Sequence, residues 1–210
     1  MTDSFLPKDY KVPVTSSGYM KWQNGDNIFR ILASPVIGNE YWTIKEGKRH
    51  PIRKHMGENI DLSEIAPDQK GGAGKVAHFW AMPIFDYADS KIKILEITQK
   101  TIQKAIKELA SDTDWGSPTG YDISVSKAVN GDLTEYGIMP KPAKPLDKAI
   151  KALYDQVVEK GFNLEALFTD GNPFSSSPTS VERLGHEVFT EEENTFTDDD
   201  LPHPDEEGQM

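Results

Sequence analysis

The stretch His78-Phe79-Trp80-Ala81-Met82-Pro83-Ile84-Phe85-Asp86-Tyr87, then Ala88-Asp89-Ser90, then Lys91-Ile92-Lys93-Ile94-Leu95-Glu96-Ile97, decides the fold class. Both outer runs are rich in β-branched and aromatic residues, and a polar triplet separates them, which predicts a long β-hairpin. Pro83 cannot donate to a ladder, so its part of the hairpin belongs at an edge or a bulge. From Thr98 the period changes. Ile102, Ile106 and Leu109 recur at spacings of four and three, predicting an amphipathic helix over 99–110 with Thr98 as its N-cap.

Upstream, residues 28–33 (Ile-Phe-Arg-Ile-Leu-Ala) read as a strand ended by Ser34-Pro35. Gly38-Asn39 reads as a turn, and residues 41–45 as a second strand. Residues 46–56 are the most basic segment, and 57–76 form a long loop. Downstream, residues 121–127 alternate cleanly, Asn130-Gly131-Asp132 turns the chain, and 135–139 return, making a second hairpin. Residues 146–160 carry Leu146, Ile150, Leu153 and Val157 on one helical stripe, and a short helical turn follows over 164–168.

The resulting order is β, β, β-hairpin, α, β-hairpin. A helix between the third and fourth strands is the arrangement of the OB-fold, a five-stranded Greek-key barrel that often binds oligonucleotides. The expected protein is therefore all-β with flanking helices. Residues 1–19 form an N-terminal arm, 20–145 the barrel, 146–169 a C-terminal helical segment and 170–210 a disordered acidic tail.

Charge divides along the same lines. Residues 171–210 hold Arg183 against eleven acids, while the first 170 residues carry 22 Lys and Arg against 23 Asp and Glu. The net charge of −11 thus describes a tail, not a body. A near-neutral body joined to a detachable polyanion suits a protein that binds a polyanion. The chain has no Cys, which excludes disulfides, thiolate catalysis and Cys-based zinc sites. No apolar run approaches the length of a membrane span. The N-terminus lacks the pattern of a secretion signal.

Catalytic patterns are absent. The five His show no metal-ligand spacing. Gly71-Gly72-Ala73-Gly74-Lys75 suggests a phosphate loop, but Val76 stands where Ser or Thr belongs and Gln69 where the first Gly belongs. No cofactor is expected. Single-strand binding, in contrast, needs cations for phosphates and aromatic faces for bases. Both are interleaved here. Tyr41 and Trp42 precede Lys45, Lys48, Arg49, Arg53 and Lys54, while Phe79, Phe85 and Tyr87 precede Lys91 and Lys93. Arg30 completes the candidate set. Trp42 and Trp80 admit core and stacking roles alike. Trp42 shares a face with Ile44, and Trp80 one with Met82 and Ile84, which favours the core. The opposite faces, Tyr41-Thr43-Lys45 and Phe79-Ala81-Pro83-Phe85-Tyr87, are the expected base-binding surface. Trp22 and Trp115 read as structural plugs.

Several blocks together carry a resemblance: Tyr19-Met20-Lys21-Trp22, Phe29-Arg30-Ile31-Leu32, Glu40-Tyr41-Trp42, His78 to Pro83, Leu95-Glu96-Ile97-Thr98-Gln99-Lys100-Thr101, Trp115-Gly116-Ser117-Pro118 and Glu135-Tyr136. Over roughly residues 10–147 the chain resembles single-stranded DNA-binding proteins of tailed phages and prophages. The resemblance implies an OB-fold and sequence-independent coating of single-stranded DNA in phage replication, recombination and repair. It implies no enzymatic activity and a setting in the cytoplasm of the bacterial host. Weaker duplex or RNA binding and self-association along DNA are compatible with it. Asp198-Asp199-Asp200-Leu201-Pro202 is similar to the acidic tip of bacterial single-strand binders, which ends in Phe. Here His203 follows instead, so Phe189 and Phe196 are the candidate apolar anchors for replication and recombination partners, with Asp198, Asp199, Asp200 and Leu201. The rival expectation is an acidic DNA mimic or host-interaction protein without DNA binding. It requires acids on the body, where the balance is even.

Overall fold

The computed structural model describes residues 18–174 apart from Lys70 and Asp132. The arm over 1–17 and the acidic tail, with Phe189, Phe196, Asp198, Asp199, Asp200 and Leu201, lie outside the described residues. Seven strands form one antiparallel sheet: β1 (Gly25–Ile31), β2 (Val36–Lys45), β3 (Lys48–His55), β4 (Ala77–Asp86), β5 (Lys91–Ile97), β6 (Asp122–Asn130) and β7 (Leu133–Pro140). Helix α1 (Lys100–Ser111) separates β5 from β6, and α2 (Lys148–Glu159) follows β7. A 3-10 turn, Leu164–Thr169, comes last. The expected five strands are thus seven, and the sheet is open, in the order β3-β2-β4-β1-β6-β7 with β5 on the far edge of β4.

The difference from five strands has two sources. First, β1 and β2 are two halves of one bent strand running along β4. Phe29–Ile31 face Asp86–Ile84, and Val36–Glu40 face Ala81–Ala77. Between them, residues 32–35 stand opposite Met82 and Pro83 alone. The Leu32 amide donates to the Pro83 carbonyl at 3.0 Å, and the surplus residues bulge out. Pro83 sits at this bulge, as its missing amide requires. Second, the basic segment is itself a strand. All eight residues of β3 pair with β2, from Gly38 with His55 to Lys45 with Lys48. Glu46 (φ 54°) and Gly47 (φ 79°) make a two-residue turn with both φ positive, the geometry that matches strand twist. Pro51 is tolerated because β3 is an edge strand. Gly38, expected in a turn, lies inside β2.

The main core lies on one face of the sheet. Phe29, Ile31, Met82, Ile84, Leu95, Ile97, Ile123 and Val125 meet Ile102 and Ile106 of α1, with Trp22 and Trp80 packed against them. Trp22 contacts Phe29 and Tyr136 edge-on, at 6.2 and 6.1 Å. Gln103 fastens the helix by donating to the carbonyls of Ile97 (2.8 Å) and His78 (3.0 Å). The expected Thr98 cap is not formed: Gln99 is the N-cap, without a side-chain bond. Asp147 caps α2 by accepting from the Ala149 amide.

The other face of β4 and β5 is also apolar and also covered. Phe79, Ala81 and Ile94 are buried with Leu167, and Tyr19, Val36, Phe162, Leu164, Phe168 and Phe174 close around them. The chain after β7 therefore packs back on its own sheet. Residues 18–20 add to the free edge of β5, where the Met20 amide donates to Ile94 and the Ile94 amide to Gly18, each at 2.8 Å. A strand covered on both faces reads as a continuous hydrophobic run, which is what β4 is. Among the described residues, no helix is long and apolar enough to cross a membrane.

Candidate nucleic-acid interface

Pairing in register carries the β2–β3 hairpin to a tip at Lys45 and Lys48. Trp42 is half-buried near that end, and the Arg49 guanidinium lies over its ring at 5.6 Å. Lys54 stands half-exposed further down β3. The hairpin thus gathers Trp42, Lys45, Lys48, Arg49 and Lys54 on one projecting arm, with Glu46 at the turn. Loop 57–76 buttresses it. The Ala66 amide donates to the Trp42 carbonyl, and Arg49 donates to the Pro67 carbonyl.

The other expected contacts are distributed differently. Arg30 is only 2 % exposed; it bonds Asp122 (3.2 Å) and the carbonyls of Thr119 (2.9 Å) and Lys144 (2.8 Å), clasping β1 to the connections around β6 and β7. Lys93 is buried between Asp86 and Asp89. Tyr41 is buried against loop 57–76, its hydroxyl directed at Glu64. Phe79 and Phe85 are buried as well. Tyr87 is half-exposed, edge-on to Phe85, and its hydroxyl donates to Asp122. Lys91 is exposed, but at the β4–β5 turn. The face Phe79-Ala81-Pro83-Phe85-Tyr87 is therefore not the open aromatic surface expected of it. The segment after β7 roofs it.

Beneath that roof lies a group of charges. Arg53 donates to both carboxylate oxygens of Glu96, at 3.1 and 3.0 Å. The same Nη2 lies 2.8 Å from Glu40 Oε2, but off the direction a hydrogen bond requires, so that contact is charge attraction. All three side chains are less than one-tenth exposed. Two carboxylates share one guanidinium in a dry place. Burial first, and Glu96 second, push the Glu40 carboxyl well above the usual carboxylate range, against the pull of Arg53. Burial works against the charge on Arg53, but Glu96 and Glu40 outweigh it and raise its pKa. Tyr19 closes the group. Burial pushes its hydroxyl up to about 12, opposed by Arg53 and reinforced by Glu96 and Glu40.

Along the same face, His55, Gly38 and Phe79 form a row across β3, β2 and β4. The Phe168 ring sits over Gly38. It stacks on His55 at 3.7 Å and 20°, and tilts against Phe79 at 5.7 Å. A Cβ on Gly38 would lie 2.5 Å from the Lys54 carbonyl, 2.7 Å from Phe168 and 2.8 Å from Phe79, so both the strand pairing and the seat of Phe168 require glycine. On either side of Phe168 in sequence, Glu165 lies 3.7 Å from His55 and Asp170 2.8 Å from His50. His50, His55 and Phe168 were not among the expected contacts. The available signal was Gly38, a glycine within an apolar run, which marks a close approach.

Among the described residues of loop 57–76, the Gly71 and Gly72 amides are already engaged. The Gly72 amide donates to the Asp68 carboxylate at 2.6 Å and the Gly71 amide to the Asp68 carbonyl at 3.0 Å, so an acid of the chain occupies these donors. Among the described residues, no group of three or more His, Asp or Glu is placed to hold a metal ion. No protein-family model and no curated protein matches this chain.

Proposed function

We propose that this protein binds single-stranded DNA without regard to sequence, coats it during phage replication and recombination, and performs no catalysis. The observation that carries the proposal is the β2–β3 hairpin, which brings Trp42, Lys45, Lys48, Arg49 and Lys54 together on one arm. Cations along a strand pair meet successive phosphates, and an indole face offers stacking worth about 1–3 kcal/mol per base. The connectivity supports an OB-type barrel. With β1 and β2 counted as one strand, the chain runs through β4 and β5, a helix, then β6 and β7, and β1 pairs with both β4 and β6. The β2–β3 hairpin is then an extension of the first barrel strand. Of the residues expected to bind, the exposed or half-exposed Trp42, Lys45, Lys48, Arg49 and Lys54 form the arm and are the proposed binding set, and Tyr87 and Lys91, also half-exposed and exposed, stand apart from it at the β4–β5 turn. Arg30, Tyr41, Arg53, Phe79, Phe85 and Lys93 support the scaffold in the roofed state described. The acidic tail recruits replication and recombination proteins and competes weakly for the cationic arm, in the bacterial host cytoplasm.

Titration of a fluorescent dT oligonucleotide at two salt concentrations tests this. Affinity should fall steeply as salt rises, and Lys45→Glu with Lys48→Glu should weaken binding and reduce the salt slope by about 0.7 per lost phosphate contact. Failure of the unmodified protein to bind at low salt would refute DNA binding. Unchanged affinity in the double variant would place the interface elsewhere.

A further inference from the structure

The geometry points to a nucleotide-binding step in the row His55, Gly38 and Phe79, which residues 163–174 occupy in the free protein. It rests on the DNA-binding proposal and names a site that the binding set above does not contain. Phe168 takes the place of a base. Its ring stacks on His55 at 3.7 Å, with Phe79 on its other flank and the bare backbone of Gly38 below. Glu165, 3.7 Å from His55, takes the place of a neighbouring phosphate. A ring stacked beside an anion is the chemistry of a nucleotide in a single strand, and ring stacking of this kind tolerates any base.

Three further features fit a strap that lifts. Its polar contacts with β3 lie at the surface, where His50, His55, Glu165 and Asp170 keep 32 to 60 % of their side-chain surface in solvent, and Leu167 is its buried anchor. Its internal hydrogen bonds, from the Ala166 amide to Asn163 and from the Gly171 amide to Ala166, are local turns of a short 3-10 segment, which open once its packing on the sheet is lost. The slot lies on the face of β3 that also carries Arg49, beside Trp42, so it is continuous with the aromatic side of the arm. Lifting the strap also uncovers Phe79, the aromatic that the sequence placed among the base contacts.

The test uses the full chain, its Phe168→Ala variant and a Glu165→Gln, Asp170→Asn variant. Affinity for a dT oligonucleotide is measured by anisotropy. Amide exchange at Ala166 and Gly171 is followed with and without the oligonucleotide. Phe168→Ala should bind about 2- to 12-fold more tightly, the range that one aromatic pair supplies. The charge variant should also bind more tightly, and saturating oligonucleotide should speed exchange at both amides of the unmodified chain. Equal or weaker binding by both variants, or unchanged exchange at saturation, overturns the strap while leaving DNA binding intact. If Phe168→Ala fails to fold, the charge variant and the exchange measurement decide. If the unmodified chain and both variants all fail to bind, DNA binding itself falls, and this step with it.

Discussion

Replacing Glu40 with glutamine keeps the shape of a side chain that is 3 % exposed and removes its ability to ionise. The parent group is held protonated well above the usual range, by burial first and by Glu96 second. A group whose native pKa is raised binds its proton more firmly folded than unfolded. Its stabilising contribution is complete below the ordinary glutamate value and is lost as pH rises through the native value. Between those limits the native state holds up to one extra proton, so unfolding free energy falls by at most about 1.4 kcal/mol per pH unit. At roughly 2–4 °C per kcal/mol for a folded unit of this size, the cost is at most about 3–6 °C per pH unit. Glutamine escapes it, because its amide can donate to Glu96 at every pH. Melting temperatures of both proteins, taken at intervals between pH 5 and 9, should diverge in favour of Glu40→Gln as pH rises. Parallel curves, or a variant that falls behind with rising pH, would refute the account of the Arg53 cluster.

Arg30→Ala removes a buried cation from Asp122 and orphans the Thr119 and Lys144 carbonyls. Asp122 keeps Lys144 and the Tyr87 hydroxyl, so urea unfolding should show a loss of about 1–3 kcal/mol for each carbonyl left without its donor, while the folded fraction keeps its oligonucleotide affinity. Deleting residues 175–210 removes Arg183 and all eleven acids of the tail. Duplex affinity should rise at low salt, and the gain should vanish at high salt because the same ions screen tail and arm. Equal duplex affinity at low salt would leave the tail with no competitive role.

The elements with strong local patterns were legible in the sequence. β4, β5 and β6 alternate or run apolar between turn residues, and α1 shows its stripe at Ile102, Ile106 and Leu109. β3 was not legible, because Lys-Arg-His-Pro-Ile-Arg-Lys-His has neither alternation nor strand composition. Its conformation is imposed by eight pairings with β2. The face of β4 was misjudged for a non-local reason. Phe79 and Ala81 are covered by Leu167 and Phe168, more than eighty positions downstream, and no local pattern announces a second cover. The buried cations were misjudged in the same way. Arg30, Arg53 and Lys93 look like phosphate contacts until Asp122, Glu96 and Asp86 are brought beside them. Lys45, Lys48, Arg49 and Lys54 lie on one hairpin, a placement legible in the sequence because it is local.

The place of β1 governs how the chain is made. It lies between β4 and β6, and Asn27 donates to the Val125 carbonyl across 98 positions. While the chain is being synthesised, β1, β2, β4 and β5 can associate as soon as residue 97 is available, but one side of β1 then still awaits its partner. At about 5–20 residues per second, the stretch from residue 98 to the end of β6 at Asn130 takes roughly 2–7 s to appear. Closing contacts of that separation adds only milliseconds to seconds. During that interval the nascent protein exposes an unpaired strand edge beside an unfinished core, the kind of surface that joins to other chains. Its exposure to misassembly is therefore set by the pace of translation, and slow codons between residues 98 and 122 would lengthen it.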